Sequence, residues 1–277
     1  MGKPETKPVA RQTASRRQAK IVDLLARNGE VSVIGLSERF HVTAMTIRRD
    51  LEALERSNAL MRTHGGAILT QKSVAEFAFL ERNRACLPEK QAIAREAATL
   101  VKPGMAIVLD TGTTTLEVAK AIQHMEGIKV LTSSLAIASI LHTRENIELV
   151  LLGGNVRKNS PDLSGPLTEE NLRQFRAALA ILGADAADKR GAYASDLSVA
   201  RVSKAMMAAA DDTLLVVDSR KFSRSSFVRF ADWKSFHYVV TDRGIARADE
   251  HWCKKSVKNF RCVQANNGMS NSRVSGR

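Results

Sequence analysis

The apolar positions of this chain follow two rhythms. Up to about residue 70 they recur every three or four residues, the period of amphipathic helices; from residue 106 onward they come as short unbroken runs. In the first part Ala19, Ile21, Val22, Leu24 and Leu25 predict a helix over 16–28 that leaves Arg16, Arg17, Lys20 and Arg27 in solvent and stops at Asn28-Gly29. A short helix over 32–40 follows, capped by Ser32, with Ile34, Leu36 and Phe40 facing inward. His41-Val42 makes a turn, and Thr43 caps a third helix, AMTIRRDLEALERS, whose buried stripe is Ile47, Leu51 and Leu54. Residues 59–68, ALMRTHGGAI, read as a strand, a glycine turn and a returning strand.

The second part alternates strands with helical stretches. Its apolar runs are 106–110, 129–133, 148–154, 177–184, 213–218 and 238–242, continuous and without polar alternation, which predicts a mainly parallel sheet covered on both faces. The expected organisation is a disordered basic lead over 1–14, a first domain over 15–70 and a linker over 71–88. An α/β domain over 89–244, opened by Pro88 and a first helix over 89–101, and a basic tail over 245–277 complete it.

Composition fits two soluble domains. The chain has 277 residues, 44% hydrophobic, enough for a full core, yet no apolar window long enough for a membrane span and no signal-peptide core near its start, so a cytoplasmic location is expected. Cys86, Cys253 and Cys262 are scattered and read as reduced thiols; neither a zinc site nor another cofactor is expected. The net charge of +13 lies at the ends: residues 1–72 hold 13 basic against 7 acidic side chains, 243–277 hold 8 against 2, and the middle is near neutral. That distribution suits a polyanionic partner.

The third helix carries the matching chemistry. Beyond its cap Thr43, the face opposite its buried stripe presents Ala44, Met45, Thr46, Arg48 and Arg49, short, polar and guanidinium side chains that fit a major groove, while its acids Asp50, Glu52 and Glu55 come later. The glycine turn sets Arg62, Thr63 and His64 either as a wing beside the phosphate backbone or as the edge of a plain hairpin.

The stretch VSVIGLSERFHVTAMTIRRDLEALERSNALMRTHGGAIL resembles the DNA-binding signature of the DeoR family of bacterial regulators. The resemblance implies a winged helix-turn-helix with Thr46, Arg48 and Arg49 on its recognition helix and His64 at its wing. Ser57-Asn58 stands where that family usually has a glycine, and Asn58 tolerates the left-handed bend.

In the α/β part, Asp110-Thr111-Gly112-Thr113-Thr114-Thr115 lies between a buried strand and a helix. There, backbone N–H groups and hydroxyls gather at a helix N-terminus, an anion site or simply a helix cap. Other strand ends carry Ser133-Ser134, Gly153-Gly154, Gly183-Ala184-Asp185 and Asp218-Ser219-Arg220-Lys221, which converge on one rim if the sheet is parallel. DTGTTT, LTSSLAIA, LLGGNVR, SGPL, LGAD and VVDSRKF are similar to the DeoR sensor region in order and spacing, over roughly residues 16–243 in all. That implies a sugar-phosphate-isomerase-like sensor in which the threonine loop holds the phosphate of a sugar or similar anionic metabolite. Many members have a Lys-Arg pair where this chain has Ser203-Lys204; Lys204 remains a ligand candidate. The rival reading is an isomerase or lyase using Asp185 and Asp188 of GADAAD. Against it, KRGAYA follows in place of the glycine-rich turn and further acid and lysine such enzymes carry, and Asp185 also reads as a hydroxyl contact or a turn cap. The expected protein is therefore not an enzyme but a ligand-modulated homo-oligomeric regulator, dimer or tetramer, of duplex DNA, with no membrane partner.

Overall fold

The computed structural model describes residues 14–265 apart from 58, 70 and 159, and for 71–77 it describes the backbone alone. Asn58, the basic lead before Ala14 and the tail after residue 265 lie outside the described residues. Two compact units divide between Leu80 and Glu81.

The first unit runs α1 (Ala14–Asn28), β1 (Glu30–Ser32), α2 (Val33–Phe40), α3 (Ala44–Arg56), β2 (Met61–Arg62), β3 (Gly66–Ile68) and α4 (Gln71–Arg84), the last crossing into the second unit. The core is the expected stripe of each helix: Ile21, Leu25, Leu36, Ile47, Leu51 and Leu60 are buried together. Each such side chain stabilises by about 1.5–3 kcal/mol relative to exposure. Two side chains depart from expectation. Because Ser32 caps α2 through a 3.0 Å bond from the Gly35 N–H, the helix starts at Val33, which is buried, and Ile34 turns outward, 69% exposed. Arg17, expected in solvent, is buried against Asp50.

The glycine turn closes a sheet of three strands, ordered β1-β3-β2 and antiparallel throughout. Strand β1, unforeseen in the sequence, converts the hairpin into a wing anchored to the helical body. Gly66 makes that possible: a Cβ there would stand 1.8 Å from the Val31 carbonyl oxygen.

The second unit begins with α5 (Leu87–Ala98), Pro88 in its first turn, then β4 (Ala106–Leu109), α6 (Thr113–Ile122), β5 (Ile128–Thr132), α7 (Leu135–Leu141) and β6 (Ile147–Leu151). A small hairpin, β7 (Asn155–Val156) and β8 (Leu163–Ser164), leads to α8 (Pro166–Leu172), β9 (Ala177–Leu182), β10 (Ala186–Asp188), β11 (Gly191–Ala194), α9 (Leu197–Ala208) and β12 (Ala210–Val216). The described part ends with β13 (Val228–Ala231), β14 (Tyr238–Asp242), α10 (Arg247–Ser256) and β15 (Asn259–Val263). The tail expected from residue 245 is therefore, over 247–263, a helix and a strand paired in parallel to β14.

Seven strands form one sheet in the order β15-β14-β12-β9-β4-β5-β6, each neighbour parallel to the next. Successive residues Ile107, Val108 and Leu109, like Leu214, Leu215 and Val216, are all inaccessible to solvent. Since neighbouring side chains point to opposite faces, both faces are covered. The strand order reverses between β4 and β9, the place where open parallel sheets hold ligands beyond their carboxyl ends. No helix among the described residues is long and apolar enough to cross a membrane.

Candidate nucleic-acid interface and effector site

In the first unit the third helix is set by its two ends. Thr43 caps it, accepting from the Thr46 N–H at 3.2 Å, and the two hydroxyls lie 2.9 Å apart, so Thr46 is committed to the cap. Further along, Asp50 Oδ2 accepts from Arg17 Nε at 2.5 Å and Asp50 Oδ1 from Gln18 Nε2 at 3.1 Å, tying α3 to α1. Both were missed in the sequence although a signal was present: Arg17 precedes Ile21 and Leu25 by steps of four, and Asp50 follows Ile47 by three. Ala44 is half-buried, while Thr43, Arg48 and Arg49 are exposed, and no acid among the described residues engages either arginine.

Thr63 and His64 sit exposed at the wing turn, closed by the Thr63 N–H donating to the Gly66 carbonyl at 3.0 Å. Arg62, expected beside DNA phosphates, is directed to α3 instead: its Nη1 lies 3.1 Å from Glu52 and 4.0 Å from Glu55, and its N–H donates to Glu55 at 3.0 Å. Two acids on the adjoining helix turns are closer partners than solvent.

In the second unit the parallel sheet brings the expected strand ends to one rim. Gly153-Gly154 and Gly183-Ala184, read as strand, lie just past the ends of β6 and β9, as loop. At the reversal point Asp110 spans both central strands: its Oδ1 accepts from the Thr111 N–H at 2.8 Å and its Oδ2 from the Gly183 N–H at 3.0 Å. Burial pushes its carboxyl up to about 6; the two N–H bonds oppose the rise, and the charges of Asp162 and Asp185 add to it. Next to it, Gly112 is the N-cap of α6 and supplies no side-chain cap, so no side chain among the described residues caps the first turn of the helix. Thr115 Oγ1 lies 2.7 Å from the carbonyl oxygens of both Asp110 and Gly112, which fixes the loop; Thr114 is buried and Thr113 partly exposed.

At the end of β5, Ser134 Oγ caps α7, whereas Ser133 Oγ is fully buried without a hydrogen-bond partner among the described residues. Gly154 is bound by its surroundings: φ is +144° and a Cβ would meet Thr168 Oγ1 at 2.1 Å. The hairpin after it carries a pair the sequence did not single out, Arg157 Nη1 to Asp162 at 3.1 Å, both largely buried, with Asp162 bridged to Ser134. Asp196 caps α9; its Ser198 hydroxyl bond, together with N–H bonds and the Arg157 charge, holds its carboxyl below the usual range against burial.

Asp185 and Asp188 both accept main-chain N–H groups. Asp185 Oδ2 accepts from the Ser195 N–H at 2.8 Å, and Asp188 takes the Arg190 N–H at 2.7 Å and the Tyr193 hydroxyl at 3.0 Å. These bonds tie both carboxylates to the β10–β11 hairpin and the residue that follows it. Lys204 is exposed on α9 and bonded to none of the rim residues among those described; Lys221 is half-buried in the 3-10 turn after β12. A further group went unforeseen: Lys90 of α5 is buried, donates to the Arg82 carbonyl, and is shifted down by burial against the opposing charge of Asp218.

Comparison with known proteins agrees with this layout. Residues 17–73 match the family model of the DeoR-like helix-turn-helix domain, and residues 86–243 that of the DeoR C terminal sensor domain. The chain is 36% identical to an uncharacterized HTH-type transcriptional regulator, YulB of Bacillus subtilis, over 83% of this chain and 90% of that one. It is 32% identical to the glycerol-3-phosphate regulon repressor of Escherichia coli K12, over 82% and 90%. With the lactose phosphotransferase system repressor of Lactococcus lactis the identity is 33%, over 83% and 92%. Among solved structures, ribose 5 phosphate isomerase A from Neisseria gonorrhoeae matches at a TM-score of 0.37 and 16% identity, over 50% of this chain and 54% of that one, a likeness too slight to bear on function. With family models matched over both units and relatives above 30% identity along most of its length, the chain belongs to the DeoR family of transcriptional regulators.

Proposed function

We propose that this regulator is a repressor of a carbohydrate operon, acting as a homo-oligomer, and that a phosphorylated sugar relieves its hold on the operator. The relatives named as repressors of a glycerol-3-phosphate regulon and a lactose phosphotransferase system support the class of gene controlled. The observation that carries the sensor half is the uncapped start of α6 beside Asp110 at the strand-order reversal. Its open N–H groups suit a phosphate, and the rim carboxylates suit the hydroxyls of a sugar. Thr113, Thr114, Ser133, Asp185, Lys204 and Lys221 are the further ligand candidates. DNA is read by Arg48 and Arg49, with Thr43 and Ala44 at the leading end of the helix and His64 at the wing. Two copies place two recognition helices on repeated half-sites, and the effector acts by binding the free and operator-bound forms unequally, by about 1–3 kcal/mol per coupled site.

A thermal-shift screen of phosphorylated sugars, followed by gel shifts on upstream DNA with and without each hit, tests the reading. A hit that raises the melting temperature and weakens the DNA complex is expected, and Thr114→Val should blunt the response. Turnover of the sugar phosphate by the protein would favour the isomerase reading instead; it is not expected, since both hairpin aspartates are bound to the main chain.

A further inference from the structure

Met45 stands out on the recognition helix. It is 56% exposed, although the buried stripe of α3 is complete without it in Ile47, Leu51 and Leu54. Arg48 and Arg49 follow it by three and four residues, so the three side chains share one face. Three polar side chains of the same helix have partners: Thr46 is bonded to Thr43, Asp50 to Arg17, and Glu52 to Arg62. What remains is an apolar arm beside two guanidinium groups that no acid among the described residues engages. A phosphate backbone offers such an arm nothing. The major groove does: thymine presents a methyl group there, and guanine presents the paired acceptors that arginine reads. Methionine, flexible and polarizable, adapts to that contact.

We infer that Met45 reads sequence, packing on the 5-methyl group of a thymine that adjoins a guanine held by Arg48 or Arg49. This rests on the operator-binding reading and adds to it a base preference.

The full-length protein is used to select duplexes from a library randomised over two helical turns, and each thymine of the enriched site is then replaced by deoxyuridine, which lacks only the methyl group. In each half-site one thymine next to a guanine should respond, with binding weakened roughly fourfold, the worth of one buried carbon group. Met45→Ala should bind thymine and uracil at that position alike while melting at the wild-type temperature, and Met45→Leu should keep the discrimination. If an enriched site tolerates uracil everywhere, or Met45→Ala discriminates as well as the wild type, the inference is overturned and the DNA reading stands. Enrichment of no sequence at all would remove both.

Discussion

Asp50, in the middle of α3, is bound at 2.5 Å to Arg17 of α1, and both side chains are almost wholly shielded from water. The pair ties α3, which carries Arg48 and Arg49 just ahead of Asp50, to α1. Breaking it from one side should be costly, because the surviving charge stays buried. Arg17→Leu or Asp50→Leu alone should destabilise the first unit by about 3–5 kcal/mol, and the double variant Arg17→Leu/Asp50→Leu should recover most of that loss. Urea unfolding followed by circular dichroism measures all three; single variants that unfold like the wild type would show that the pair does not hold the helices together.

Arg49 is exposed, so its removal tests recognition without touching the core. Arg49→Ala should melt normally yet bind the selected operator roughly tenfold more weakly, the lower half of the range for a lost arginine contact with a base. Equal affinities in a gel shift would take the residue out of the interface.

Asp110 gives the second unit a pH dependence. Its folded value of about 6 lies above the ordinary 3.8, so between those values the folded state binds more proton than the unfolded one. The contribution is favourable below about pH 4 and is lost as pH rises through 6, a difference on the order of 3 kcal/mol. Measured by denaturant unfolding from pH 4.5 to 7.5, the wild type should lose stability relative to Asp110→Asn as pH rises. A constant difference across that range would mean that the carboxyl titrates normally.

Gly66→Ala should dismantle the wing. The added carbon would sit 1.8 Å from the Val31 carbonyl oxygen, so β1 and β3 must separate. The substitution should lower stability by at least ~2 kcal/mol, in the range of strained backbone sites, and weaken DNA binding with it. An unperturbed melting temperature would contradict the close approach of the two strands.

Much of this was legible in the residues. Ile21, Leu25, Ile47 and Leu51 announced their helices by spacing, Ser32 and Thr43 their caps, and the unbroken runs ending at Asp110 and Asp242 a sheet buried on both sides. Charged residues in apolar phase were the weak point. Arg17 read as solvent-facing by chemistry and Lys90 drew no reading at all, and only their positions on the buried faces of α1 and α5 show their burial. Contacts between distant segments left no local trace: nothing near Asp110 signals that Gly183, 73 residues away, will donate to it. Strand β1 was obscured because three residues between two helices carry no period of their own.

The sheet does not finish where the family's sensor region does. Its outermost strand, Asn259–Val263, hydrogen-bonds along the whole of Tyr238–Asp242, beyond residue 243. A recombinant fragment trimmed to the residues that match the sensor-domain model would therefore bare a row of main-chain donors and acceptors on an apolar ribbon, an invitation to sticky self-assembly in the expression host. Anyone isolating this half of the molecule should carry the polypeptide past Val263.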